Sequence, residues 1–296
     1  MSVPPRIAIT GASGLIGTAL VGHLKAEGHT VQRLVRRTPV GPDEVQWDPQ
    51  TGFVDLEPLR GVDAVIHLAG VGVGDKRWSK KYKSEILNSR LLGTTAIANA
   101  VAELKPQVFI SASAIGWYGE SGNRAVVETD RAGDDFLAAV CREWEAAADL
   151  AGDVRTVKIR TGLVLDPTGG ALGRMLPLFR LGLGGKLGNG KQWWSWITLH
   201  DQIRAIVFAL ENPISGPVNL TAPNPVTNQE FTAALARAMH RPALFPAPAI
   251  ALKIALGGFS SEVLGSKRVI PHVLQEAGFT WDYPHISEAL AQLIED

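Results

Sequence analysis

Short apolar runs alternate with stretches of helical period through the first half of the chain. RIAIT (6–10) reads as a buried strand, and 14–28 as a helix closed by Gly28. Further strands are predicted over 30–36, 44–48, 62–70, 107–113 and 154–165, with a long helix over roughly 80–104. The strands are almost continuous Val, Ile and Leu. Strands of that kind are covered on both faces, so the pattern predicts an α/β fold with a Rossmann-like, doubly wound parallel sheet. After Leu165 the pattern changes. The segment 166–192 is rich in Gly, as a mobile or ligand-covering segment would be. One more strand is predicted at 216–222. Beyond Thr227 the chain reads as mostly helical, over 228–240, 247–257 and 285–295. This divides the chain into a Rossmann domain over 1–165, to which 195–222 return, and a smaller helical lobe from 166–194 and 223–296. The lobe is expected at the carboxyl ends of the strands, where open α/β sheets bind ligands.

The stretch DDFLAAVCREWEAAADL (134–150) holds the only cysteine, Cys141. Phe136, Leu137, Val140, Cys141, Trp144, Ala147 and Ala148 fall on one helix face. A lone cysteine can be a nucleophile; its place in this stripe favours packing.

Composition narrows the function. Lys+Arg and Asp+Glu both number 29, so no basic excess points to nucleic acid or an anionic membrane. One cysteine excludes an internal disulfide and a cysteine-rich zinc site. The seven histidines show no metal spacing, so no metal is expected. No run of about 18 apolar residues reads as a membrane span, and MSVPPRIAIT does not read as a signal segment. A cytoplasmic protein with a small-molecule substrate is the expectation, its oligomeric state open and a homodimer included.

TGASGLIG (10–17) follows the first strand and opens a helix. Gly11 permits a sharp turn, Gly14 lets backbone approach a diphosphate, and Gly17 lets helix and strand pack closely. Ser13, Leu15 and Ile16 sit at the helix N-terminus, whose N–H groups suit that diphosphate. No Lys follows in the P-loop position, which excludes that ATPase motif. Leu68, Ala69 and Gly70, at the end of the fourth strand, are expected to border the same dinucleotide; His67 before them reads as a neutral structural histidine. About twenty residues past the glycines an NAD site carries Asp or Glu on the ribose 2′-hydroxyl. Here Arg36 and Arg37 stand at the strand end, and guanidinium groups suit a 2′-phosphate. NADP(H) is the predicted cofactor.

TGASGLIG, VIHLAG, SASAIGWYG, IRTGLVL and KQWWSWITLHD occur in the order expected of the extended short-chain dehydrogenase/reductase superfamily. With KRWSKKYKSEILNSRLLGT (76–94) and RVIPHVLQEAGFTWDYPHISEAL (268–290), the chain resembles its atypical "epimerase family protein" branch over essentially its full length. Members carry names such as nucleotide-sugar epimerase, and some are labelled SulA-like cell-division proteins. The resemblance implies an NADP(H)-binding sheet with a C-terminal substrate lobe. It also implies a Tyr-x-x-x-Lys pair on the helix after the fifth strand, and a Ser or Thr at that strand's end. The Ser is present as Ser113. The pair is not: its places fall near Leu137 and Cys141, and there is no Tyr between Gly119 and Asp282.

Other residues are then candidates. Ser113 could bond a substrate or carboxamide. Tyr118 could serve as a general acid if its pKa were lowered. Thr161 and Gly162 are expected beside the nicotinamide. Arg77 and Trp78 could hold a substrate anion and form an apolar wall, with Lys81, Tyr82 and Lys83 nearby. In a strand Trp194 and Trp196 share a face, and Trp196 could line a pocket. Thr198 and Asp201 have capping spacing for the next helix. Two functions fit: an NADP(H)-dependent oxidoreductase or epimerase on a small polar carbonyl or sugar-like compound, and a non-catalytic NADP(H) sensor or scaffold linked to cell division.

Overall fold

The computed structural model describes residues 5–295. The N-terminal stretch read as lacking a signal segment falls partly on residues 1–4, outside the described residues. Eight strands form one sheet: β1 (Arg6–Thr10), β2 (Thr30–Val35), β3 (Glu44–Asp48), β4 (Phe53–Val54), β5 (Ala64–His67), β6 (Val108–Ala114), β7 (Arg155–Thr161) and β8 (Gly216–Leu220). Their order is β8-β7-β6-β5-β1-β2-β3-β4, and every neighbouring pair is parallel except β3–β4. The order reverses between β1 and β5, which opens a crevice at their carboxyl ends.

Among the described residues ten α-helices complete the fold: α1 (Leu15–Ala26), α2 (Lys80–Leu104), α3 (Phe136–Ala148), α4 (Gly170–Arg180), α5 (Leu199–Glu211), α6 (Asn228–Ala238), α7 (Ala249–Leu256), α8 (Ser260–Leu264), α9 (His272–Glu276) and α10 (Ile286–Glu295). Strand alternation gives the sheet two buried faces. Ile7 and Ile9 bury against Leu20 and Leu24 of α1 and Ile206 of α5. Ala8 and Phe109 face the other way, into Ile97 and Val101 of α2 and Ala148 of α3. Full burial of each large side chain is worth about 1.5–3 kcal/mol, so the two-sided core fixes both register and helix placement. A third core joins Leu172, Leu176 and Phe179 of α4, Phe231 and Leu235 of α6, Leu290 of α10 and Trp196.

Two sequence expectations are corrected. The predicted strand 154–165 is broken at Gly162. A Cβ there would lie 2.7 Å from the Ser195 carbonyl oxygen, so glycine lets β7 end and Leu163–Asp166 pair with Trp196–Thr198 instead. The Gly-rich segment contains a regular helix, α4, whose Leu172, Leu176 and Phe179 recur at helical spacing on its buried side. Among the described residues no helix is long and apolar enough to cross a membrane.

Candidate functional site

The glycine turn lies at the crevice. Gly11 has φ +69°, and a Cβ there would sit 2.8–2.9 Å from the Leu68–Ala69 peptide. A Cβ at Gly17 would fall 2.1 Å from the Gly11 carbonyl oxygen. Both contacts are with backbone that cannot yield, so glycine is required at each. Gly14 caps α1 and is exposed; no side chain caps the helix and its first turn holds no acid. A helix N-terminus kept free of protein anions suits an external one. Ser13, Leu15 and Ile16 surround it, Ser13 exposed and the other two half-buried. These residues fit a dinucleotide diphosphate.

The loop opposite is tied down by a buried pair. The Thr10 hydroxyl accepts from the amides of Leu68 and Ala69 at 3.2 and 3.3 Å and lies 2.7 Å from His67 Nδ1. With both acceptor sites engaged, the hydroxyl donates to Nδ1, so the imidazole is neutral with its proton on Nε2. Burial holds the His67 pKa down at about 3. The unfolded chain binds a proton near pH 6.5 that the folded chain does not, so stability is full above that pH and falls as pH drops toward 3. The expected slope is about 1.4 kcal/mol per pH unit across this window. Urea titrations at stepped pH should show it, and His67→Gln should remove that contribution; an unchanged slope in the variant would contradict the assignment.

The two arginines at the end of β2 have different surroundings. Arg37 donates through both terminal nitrogens to Glu44, at 2.6 and 2.7 Å, and Arg33 bonds Asp43 while lying 3.2 Å from Glu44. The hydrogen bond from Arg37, with that from the Val40 amide, holds the Glu44 carboxyl down at about 2. Arg36 is exposed and has no acidic partner among the described residues. It is the unengaged guanidinium.

Beyond β5 the register builds a polar row. Ser113 of β6, Arg160 of β7 and Asn219 of β8 are direct cross-strand neighbours, and Phe109 of β6 places their face toward α3. Glu145 of α3 closes over them. It accepts from Ser113 Oγ at 2.7 Å and from Arg160 Nε and Nη2 at 2.8 and 2.9 Å. Tyr118 donates to Asn219 Oδ1 at 2.7 Å and accepts from Arg160 Nη1 at 3.1 Å. The general-acid expectation for Tyr118 needed a lowered pKa. Burial instead pushes it up to about 12, against the pull of Arg160, and the residue is 3% exposed. Ser113 and Tyr118 are thus brought together, but in a closed network. Glu145, Arg160 and Asn219 are its unforeseen members.

Leu137 and Cys141 pack on Gly116, 3.2 and 3.5 Å from where a Cβ there would lie. Burial pushes the Cys141 thiol up to about 12. At pH 8 roughly one part in ten thousand is then thiolate, the reactive form. Native protein should resist a thiol reagent at pH 8 and label once unfolded, and Cys141→Ala should keep any activity; rapid native labelling would contradict the packing role.

A further residue lies beside Cys141. Tyr82, Ile86, Arg90 and Thr94 follow at four-residue spacing along the inner face of α2. A charge in such a stripe is a signal the sequence already carried. The Arg90 guanidinium lies 3.6 Å from where a Gly70 Cβ would be, donates to the Val71 carbonyl at 2.9 Å and stacks 4.7 Å from the Trp144 ring.

Trp78 donates to the Val73 carbonyl at 2.7 Å and meets Phe136 and Phe259 edge-on or tilted. Arg77 is exposed, lies against Gly257, and has no ion pair among the described residues. Lys83 stacks over Trp78 and Phe136, and Tyr82 donates to the Gly72 carbonyl; Lys81 is exposed. Thr161 accepts from Gln202 at 3.3 Å, and Gly162 donates to the Leu220 carbonyl. Trp196 corrects its expectation as a pocket wall. It is fully buried in the third core, its indole donating to the Asn224 carbonyl. Thr198 caps α5 by accepting from the Asp201 amide.

Comparison with known proteins finds relatives over nearly the whole chain. The sequence profile of the NAD dependent epimerase/dehydratase family matches residues 7–221, and that of a domain of unknown function, DUF1731, matches 247–293. An epimerase family protein of Mycobacterium leprae is 46% identical over 290 residues, covering 96% of this chain and 94% of its own. The epimerase family protein SDR39U1 of Bos taurus is 37% identical, covering 98% and 99%. The crystal structure of human SDR39U1 with NADPH superposes with a TM-score of 0.91 at 34% identity, covering 98% of this chain and 99% of that one. The UDP-glucose complex of MoeE5 with NAD, at 21% identity and a TM-score of 0.77, shares the fold. The chain belongs to the NAD dependent epimerase/dehydratase family, among the epimerase family proteins that join this fold to a DUF1731 region.

Proposed function

We propose that the protein is an NADP(H)-dependent atypical short-chain dehydrogenase/reductase acting by hydride transfer on a small polar carbonyl or sugar-like compound. The observation that carries the cofactor half is Arg36, a guanidinium without an acid partner at the end of β2. Arg37 stands beside it but is already paired with Glu44. The relative crystallised with NADPH supports the same preference. Gly11, Ser13, Gly14, Leu15 and Ile16 would hold the diphosphate, and Leu68, Ala69, Gly70, Thr161 and Gly162 would line the path beyond. The bound cofactor would supply or accept the hydride. Trp78 would shield the crevice mouth from water, and Arg77 and Lys83, cations without acid partners, suit a substrate carrying carboxylate or phosphate. Ser113 and Tyr118, fixed in the Glu145–Arg160–Asn219 network, set the shape of the reaction end. The C-terminal lobe, 166–194 with 223–296, provides the substrate side.

The test is NADPH consumption across a broad panel of carbonyl compounds, anionic ones included. Turnover of an anionic carbonyl compound, lowered by Arg77→Ala, is the expected result. One observation favours the second reading, an NADP(H) sensor: the hydroxyls of Tyr82 and Tyr118 are both spent on protein acceptors, leaving neither as an obvious proton donor. NADPH binding with no turnover, and a partner whose affinity depends on NADPH, would transfer the assignment to it.

A further inference from the structure

Arg90 is a half-buried cation with no counter-ion among the described residues. Among the described residues no carboxylate pairs with it. Burial lowers its pKa, and the charges that act on it are those of Cys141 and Tyr82. The Cys141 thiol is held un-ionised, and burial raises the Tyr82 phenol too. At neutral pH none of the described residues neutralises the guanidinium. The carbonyls of Val71 and Ile86, at 2.9 and 3.2 Å, occupy only Nη1. Nε and Nη2 have no acceptor among the described residues, although Arg90 has five N–H donors to place.

Its position says what would use them. The crevice has two halves, one on either side of the strand reversal. Arg36 marks the β2 side. Arg90 lies on the other, beneath Gly70 at the end of β5 and beside Cys141, whose thiol contacts the Ala114 carbonyl at the end of β6. Gly70 is exposed, and a side chain there would meet the guanidinium, whose carbon lies 3.6 Å from where the Cβ would be. On the resemblance, Cys141 falls near the place of the superfamily's Lys. Arg90 therefore brings a cation from α2 to the place where α3 lacks one.

We infer that Arg90 is a cofactor-binding residue: its free N–H groups hold the hydroxyl oxygens of the nicotinamide ribose. This rests on the NADP(H) reading above. A guanidinium keeps its proton at any working pH, so Arg90 binds and orients without acting as an acid.

Two ligands separate the halves. NADPH spans both, whereas adenosine 2′,5′-bisphosphate has no nicotinamide ribose. Their dissociation constants would be measured by NADPH fluorescence and by calorimetry, for wild type, Arg90→Met and Arg90→Lys. Arg90→Met should weaken NADPH about 10- to 100-fold, the range for a hydrogen bond to a charged group. The bisphosphate should bind as in wild type, which also shows that the variant is folded. Arg90→Lys should recover part of the NADPH affinity. Unchanged NADPH binding by Arg90→Met would overturn the inference, and so would equal loss of both ligands by Arg90→Met and Arg90→Lys, the mark of a purely structural role. If wild type binds neither ligand, the NADP(H) reading fails and this inference falls with it.

Discussion

Arg160→Met is expected to lower the unfolding free energy by about 3–5 kcal/mol, the cost of leaving a buried charge uncompensated. Arg160 and Glu145 have side chains only 2% and 5% exposed and meet through two hydrogen bonds of 2.8 and 2.9 Å. Burial works against the Arg160 charge, but the hydrogen bond and charge of Glu145 outweigh it and raise its pKa. Removing the guanidinium strands the carboxylate and takes a donor from Tyr118. It also removes a cation stacked 3.9 Å from the Trp117 ring. The double variant Arg160→Met, Glu145→Leu should be more stable than Arg160→Met alone, because apolar replacement of a whole buried pair is often neutral. Urea unfolding measures both. A loss below about 1 kcal/mol for the single variant, typical of an exposed pair, would contradict the account of the network.

Arg36→Asp should weaken NADPH binding by about 100-fold or more. Hydrogen bonds to a charged group contribute about 1.5–3 kcal/mol, and the new carboxylate would repel the 2′-phosphate. NADH should bind at least as well as before, because Asp at this place accepts from a 2′-hydroxyl. Arg37→Ala should cost less. Its terminal nitrogens are already bonded to Glu44 at 2.6 and 2.7 Å, so less of its donor capacity is free for a ligand. A variant that keeps the wild-type preference for NADPH over NADH would exclude Arg36 from phosphate recognition.

What was legible in the sequence follows from the range of each signal. The strands and the glycine turn are local patterns, and β1, β2, β3 and the turn at Gly11 stand where period and spacing put them. The break at Gly162 was hidden because the residues on both sides are apolar or β-branched, and only the approach of Ser195 explains the glycine. Helix α4 was masked by glycines, although Leu172, Leu176 and Phe179 carried its period. The Ser113–Arg160–Asn219 row exists only through register across three strands, which no window along one strand reveals. Arg36 and Arg37 looked equivalent as neighbours, and a partner on β3 separates them. Arg90 was within reach: a cation in the inner stripe of α2 needed only to be asked what neutralises it.

The measurement closest to the central claim is a side-by-side titration of the wild-type protein with NADPH and NADH at fixed ionic strength. NADPH should bind at least tenfold more tightly, and added salt should narrow the gap as the 2′-phosphate contact is screened. Equal affinities, or a preference for NADH, would contradict it.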